Sequence, residues 1–240
     1  MRELTILVPT RGRPRGLARL IEACHSTCAL KDVQLLVGVC DDDPMVDDMG
    51  GYRWVVNQMG GYANLDVRLM IMPAPVVHRG FVYPLNRMAA LAAPESFALA
   101  VLGDDHVPRA EAWDWRLWGE LRERPVSFAY GNDLVHGASI PTSCMMTSTV
   151  FGALGYIAPP ELGHLYVDNV WKLWGESTNL TYRADVVIEH LHPLVNKGEW
   201  DDTYRQQDPN GDQAIFYRYE ATRLMDDVAA LRRELERSVA

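Results

Sequence analysis

Ser96-Phe97-Ala98-Leu99-Ala100-Val101-Leu102-Gly103-Asp104-Asp105-His106-Val107-Pro108 passes from a nearly continuous apolar run to two carboxylates and an imidazole. A short, unbroken apolar run is the pattern of a strand buried on both faces. The polar triplet falls where that strand would end, and open α/β sheets bind ligands beyond the carboxyl ends of their strands. Adjacent carboxylates repel, and a hard divalent cation, Mg²⁺ or Mn²⁺, relieves the repulsion. The histidine favours Mn²⁺. Taken in isolation, Gly-Asp-Asp before a proline also reads as a solvated turn, so the flanking sequence has to decide.

Upstream, Leu4-Thr5-Ile6-Leu7-Val8 forms a first buried strand, which Pro9-Thr10-Arg11-Gly12-Arg13-Pro14 breaks. An amphipathic helix follows, with Leu17, Leu20, Ile21 and Cys24 on one face. Strand, polar loop and helix begin a nucleotide-binding α/β unit, and two guanidinium groups beside a helix N-terminus suit phosphate. The loop is neither a dinucleotide fingerprint nor a Walker A loop. A second strand, residues 33–40, ends in Asp41-Asp42-Asp43-Pro44, where one Asp can accept hydrogen bonds from a base or ribose and the others form a turn. A helix over 52–59 is expected to bury Trp54, Val55 and Met59, and a third strand covers 67–72. A loop with His78 and Arg79 leads into a helix from Tyr83 to Ala93 carrying Leu85, Met88, Ala89 and Leu91, with Asn86 and Arg87 near its start and available to a ligand.

Downstream, a helix over 113–124 holds Trp113, Trp115 and Trp118, which mainly pack the core and in part line an acceptor cleft. A strand at 126–130 precedes Gly131-Asn132-Asp133, then Ser143 to Met146 and a Ser/Thr-capped helix over 147–154. Val167, Val170, Trp171 and Trp174 form one helical face, with Asp168 and Asn169 at the helix start. A late strand, Val186 to Pro193, carries His190-x-His192, whose imidazoles share a face if both lie in the strand. His192 is the preferred ligand of the two, because Pro193 favours extended backbone before it. Leu224, Val228, Leu231 and Leu235 mark a C-terminal amphipathic helix that packs on the domain or on a second subunit.

Composition bounds these readings. The 240 residues, 48% apolar and 23% charged, suit one large soluble domain. No apolar run spans a bilayer and no signal peptide is visible, so a cytoplasmic protein without membrane partners is expected. A formal charge of −9 argues against electrostatic coating of nucleic acid, although Arg11, Arg13, Arg15 and Arg19 leave room for a local basic groove. Of the four cysteines, Cys24 and Cys28 flank His25, but Cys24 reads as a small buried residue rather than a metal ligand.

In this order the motifs resemble the GT-A glycosyltransferases, most closely small family 2-like members such as those encoded by bacteriophages. The resemblance rests on Val8-Pro9-Thr10-Arg11-Gly12-Arg13-Pro14, Asp41-Asp42-Asp43, Asp104-Asp105-His106, Asp168 and His190-x-His192, across roughly the first four fifths of the chain. It implies a three-layer α/β/α sandwich with a mostly parallel central sheet and a C-terminal helical extension. The chain would be one domain, divided into a nucleotide-sugar half (1–106), an acceptor half (107–195) and the extension (196–240).

The implied reaction moves a sugar from a nucleotide-sugar donor, a UDP-sugar first among candidates, to a hydroxyl. A hydroxymethylated pyrimidine of phage DNA is one acceptor in view, in host cytoplasm. Pro9, Thr10, Arg11, Arg13, Asp41, Asp42, Arg79, Asn86 and Asp104 would bind the donor. The metal, Mn²⁺ or Mg²⁺, would take ligands from among Asp104, Asp105, His106, His190 and His192. Asp168 would be the base of an inverting attack. Two features depart from the family pattern: the DxD-like motif ends in His or begins with Gly, and the base position reads Val-Asp-Asn rather than Glu-Asp. Two other readings stay open, a metallophosphoesterase built on Asp104-x-His106, Gly131-Asn132-Asp133 and His190-x-His192, and a nucleotide-sugar-binding module without chemistry. Donor sugar and oligomeric state are not encoded legibly.

Overall fold

A computed structural model describes residues 1–75, 80–198, 200–205 and 207–237. Its first half alternates strand and helix: β1 (Arg2–Pro9), α1 (Pro14–Thr27), β2 (Val33–Cys40), α2 (Tyr52–Met59), β3 (Asp66–Met72), α3 (Val82–Ala92) and β4 (Ser96–Val101). These four strands pair in parallel in the order β3-β2-β1-β4. The two faces of the sheet are written in the sequence with a period of two. Leu4, Ile6, Val8, Leu35, Val37, Val39, Ala98 and Ala100 join one core, beneath α1 and α2. Leu7, Leu36, Leu99 and Val101 join the opposite core, beneath α3. Buried on both faces, these strands carry the near-continuous apolar runs that made them legible.

The second half is mixed. It runs β5 (His106–Pro108), α4 (Trp113–Leu121), β6 (Phe128–Asn132), β7 (Cys144–Thr147), α5 (Thr149–Leu154), α6 (Val167–Ser177) and β8 (Leu180–His190). The chain ends in α7 (Asp202–Arg205), α8 (Pro209–Thr222) and α9 (Leu224–Arg237). The full sheet order is β3-β2-β1-β4-β7-β6-β8-β5, with β7 antiparallel to β4 and β6, β6 parallel to β8, and β5 antiparallel to β8. The architecture is the expected α/β/α sandwich around a mostly parallel sheet. The C-terminal helices are part of its wall: Phe216 and Tyr219 of α8 and Val228 and Leu231 of α9 lie in the second core. Packing of the last helix is thus on its own domain.

Several local expectations are corrected. Trp54 is 51% exposed; α2 turns Tyr52, Val55 and Val56 inward, and Met59 is only partly buried. Residues 144–147 form strand β7, and the helix after it has Ser148 at its cap position without a side-chain cap bond. Strand β8 starts at Leu180, well before Val186. Helix α8 was not foreseen. Trp113 is a core residue and Trp115 is half exposed. All four cysteines are free, and His25 stacks on Tyr62 with ring centroids 3.7 Å apart. Among the described residues no helix is long and apolar enough to cross a membrane.

Candidate active site

A cavity of about 1080 Å³ opens beyond the carboxyl ends of β1, β2 and β4. Pro9, Thr10, Arg11, Arg13, Asp42 and Gly103 to His106 line it from the first half of the chain. His136, the 161–168 loop, His190, His192 and residues of the C-terminal segment line it from the second.

The centre is made by a cross-strand pairing. In the β5–β8 ladder His106 stands opposite His190, and their rings stack with centroids 4.3 Å apart. Asp105, in the turn before β5, places Oδ1 3.3 Å from His106 Nδ1 and 3.6 Å from His190 Nε2. One ligand atom from each of these three residues falls within 4.8 Å of the others, and theirs is the one such potential metal group among the described residues. Among the described residues, His106 Nε2 and His190 Nδ1 are buried without a hydrogen-bond partner. Burial, then the neighbouring His190, pushes the His106 pKa down, and its Nδ1 accepts the Gly103 N–H at 2.9 Å. Burial pushes Asp105 up, but the adjacent imidazoles of His106 and His190 outweigh it and hold the carboxyl well below its usual range. Two imidazoles beside a carboxylate fit a divalent transition ion better than Mg²⁺.

Asp104 faces elsewhere. Its Oδ2 accepts from the Thr10 hydroxyl and its Oδ1 from Arg13 Nη1 at 3.1 Å. Burial, then the charge of Asp105, raises its pKa to about 7 against the pull of Arg13 and Thr10. Gly103 and Gly16 allow this crowding. A Cβ on Gly103 would lie 2.5 Å from Asp105 Oδ1, and one on Gly16 would lie 2.7 Å from the Asp104 carbonyl oxygen.

His192 lies beyond the strand, and its Nδ1 accepts the Leu194 N–H at 3.1 Å, capping the short helical turn 193–195. It touches His190 edge-on at 4.9 Å, so the imidazole brought to Asp105 is that of His190, contrary to the preference for His192. The strand simply ends two residues too early for both rings to share its face.

The acidic run after β2 divides its work. Asp43 Oδ2 accepts the Gly12 N–H at 2.8 Å and its Oδ1 the Met45 N–H, so it latches the first loop. Asp42 makes a two-point pair with Arg11. Asp41 accepts the Ala74 N–H and does not line the cavity. Asn86 is likewise spent on backbone, at Ile157 and Ala158, and Arg79 lies outside the described residues.

Asp168 lines the cavity from the first turn of α6. The cap position is Tyr166, and the Asp168 carboxylate accepts the adjacent Asn169 N–H at 3.0 Å. Burial pushes its pKa up. The loop before it is held by a residue the sequence did not announce: Asp212 of α8 accepts the N–H groups of Gly163, His164 and Leu165 at 2.8–2.9 Å. Asp133 does similar work. Its carboxylate accepts three N–H groups, from Val135, His136 and Gly137, and the Thr142 hydroxyl. Asn132 Oδ1 accepts the Leu134 N–H. Side chains committed in this way leave the phosphoesterase ligand order without its middle member.

A strap at 200–205, also unforeseen, crosses the cavity. Asp201 takes two nitrogens of Arg13, Thr203 donates to the Arg11 carbonyl at 3.4 Å, and the Tyr204 hydroxyl donates to Asp105 at 2.7 Å.

No protein-family model matches the chain, and no curated protein matches it in sequence. Solved structures do match in shape. The mannosyltransferase PcManGT from Pyrobaculum calidifontis, in complex with GDP-Man and Mn²⁺, superposes with a TM-score of 0.61 at 12% identity, over 99% of this chain and 75% of that one. Glucosyl-3-phosphoglycerate synthase from Mycobacterium tuberculosis, in complex with Mn²⁺, UDP and glucosyl-3-phosphoglycerate, gives 0.55 at 10% identity, over 95% and 80%. S. aureus TarS gives 0.55 at 12% identity over 78% of this chain, which spans only 36% of TarS. At such identities the likeness is one of fold, and the fold of this chain is the Rossmann-like GT-A fold of these neighbours.

Proposed function

We propose that the protein is a metal-dependent glycosyltransferase that moves a sugar from a nucleotide-sugar donor to a hydroxyl acceptor with inversion. One observation carries the reading: Asp105, His106 and His190 meet, with buried imidazole nitrogens lacking partners, in the cavity that Asp168 also lines. Bound there, Mn²⁺ would supply Lewis-acid neutralisation of the departing diphosphate. Arg13 and Arg11 add fixed positive charge beside that position. Asp168 brings to the same cavity a carboxylate with a raised proton affinity, as a general base requires. The solved neighbours with GDP-Man and with UDP and Mn²⁺ support donor and metal classes of this kind. A UDP-sugar is the first donor to test.

For the acceptor, a hydroxymethylated pyrimidine of phage DNA stays within the proposal as one hydroxyl among others. Of the four N-terminal arginines, Arg11 and Arg13 line the cavity. The test is release of nucleoside diphosphate from a panel of nucleotide sugars with Mn²⁺ and varied acceptors. Release that depends on both metal and acceptor supports the transferase. Donor binding without release points to a binding module, and neither binding nor release rejects the proposal.

A further inference from the structure

The two oxygens of Asp105 have separate partners. Oδ1 faces the imidazoles of His106 and His190, at 3.3 and 3.6 Å. Oδ2 receives the Tyr204 hydroxyl at 2.7 Å and Arg13 Nη1 at 3.3 Å. A carboxylate in a turn can rotate about its side-chain bonds, and either oxygen can then face the imidazoles. Donors fixed on Oδ2 remove that freedom.

Tyr204 reaches Asp105 from the strap, and the strap is held by polar and aromatic contacts. None of the four residues of α7 is buried. Asp201 grips Arg13, the Arg13 guanidinium lies 4.6 Å from the Tyr204 ring centroid, and the His192 and Trp200 rings meet Tyr204 edge-on at 5.0 and 5.7 Å. The side chain that orients the carboxylate is thus itself positioned by the loop that opens the nucleotide side of the cavity.

We propose that Tyr204 is a positioning residue for the cation site: its hydroxyl fixes Asp105 so that Oδ1 joins His106 and His190. This rests on the cation-site reading given above. Groups that hydrogen-bond a metal-binding side chain typically alter metal affinity by about 10–100-fold when removed.

The experiment measures Mn²⁺ affinity of the full chain by the electron paramagnetic resonance signal of free Mn²⁺, without substrate. Tyr204→Phe keeps the ring over Arg13 and removes only the hydroxyl. It is expected to weaken Mn²⁺ by about 10–100-fold, with unchanged circular dichroism and melting temperature. Tyr204→Ala should weaken binding no further than Tyr204→Phe if the hydroxyl is the cause. Asp105→Ala serves as the reference. If it binds Mn²⁺ like the wild type, the cation-site reading itself fails. If it loses Mn²⁺ while Tyr204→Phe stays within about twofold of wild type, the positioning role alone is overturned. Should Tyr204→Phe not fold, Trp200→Ala loosens Tyr204 in the strap while leaving the Arg13 contacts of Asp105 and Asp201 in place. A several-fold loss of Mn²⁺ affinity then supports the proposal, and unchanged affinity overturns it.

Discussion

Two strands of this sheet, β2 and β4, end in acidic runs, and the runs do different work. Asp41 to Asp43 satisfy backbone N–H groups and an arginine at the surface. Asp104 and Asp105 stand in a buried pocket with two imidazoles whose outer nitrogens have no partner. Charge density alone does not separate them, since the first run has one more carboxylate. What separates them is demand: the first cluster bonds within its own chain, whereas the imidazoles beside the second each leave one buried nitrogen without a partner among the described residues.

The largest break in this contrast is Asp105→Ala, which should reduce turnover to background. A bound cation supplies several kcal/mol of charge stabilisation, a factor of about a thousand or more. Asp42→Asn, measured in the same diphosphate-release assay, should remain active.

Next comes Asp168→Asn, with an expected loss of about a hundredfold to ten-thousandfold in turnover and retained donor affinity. Because burial raises the Asp168 pKa, the acid limb of the wild-type rate profile should lie above the ordinary carboxylate range, and the Asn variant should lose that limb. The stability effect has the opposite sign. A native carboxyl that holds its proton more tightly than the unfolded one makes folding less favourable as pH rises through the shifted pKa. Thermal melts should therefore show Asp168→Asn gaining on the wild type at neutral pH and not at pH values below the ordinary carboxylate pKa.

The glycines sharpen the comparison further. Gly103→Ala places a Cβ 2.5 Å from Asp105 Oδ1 and 2.9 Å from His106 Nδ1, and should weaken Mn²⁺ binding by about tenfold in a direct titration. Gly12→Ala meets no atom within 4 Å but is strained at a φ of +71°, so it should cost about 1–2 kcal/mol of stability and leave Mn²⁺ affinity alone. Changes within the first acidic run are read by urea unfolding. Asp43→Ala should cost about 1–3 kcal/mol for the stranded Gly12 and Met45 N–H groups. Asp42→Asn, which breaks an exposed pair with Arg11, should cost less than about 1 kcal/mol.

How much of this was legible follows from the range of the interactions. The parallel half could be read strand by strand, because each strand is an apolar run buried on both faces and each helix shows its apolar spacing. Asp105 and His106 were visible as residues at a strand end. That His190 rather than His192 meets them depends on the register of β5 against β8, a pairing across some eighty residues that no local pattern encodes. Helix α8 escaped notice for a different reason. Its buried positions, Asp212, Phe216 and Tyr219, keep helical spacing, but a carboxylate occupies the first of them. A count of apolar residues passes over a helix whose inward face begins with an acid that serves three N–H groups. The strap at 200–205 has almost nothing buried, so its sequence carries no sign of where it docks.

The order in which the chain is made gives the strap and the Asp212 clamp another meaning. Strands β1 to β4 can pair once residue 101 has left the ribosome, long before any cation-binding group is assembled. His106 meets its partner only when His190 emerges, the loop ahead of Asp168 gains its carboxylate only with Asp212, and Asp105 gains the Tyr204 hydroxyl between those events. A nascent or broken chain that stops short of these residues would carry the sheet without working chemistry. Synthesis itself would thus withhold the proposed activity from an unfinished molecule.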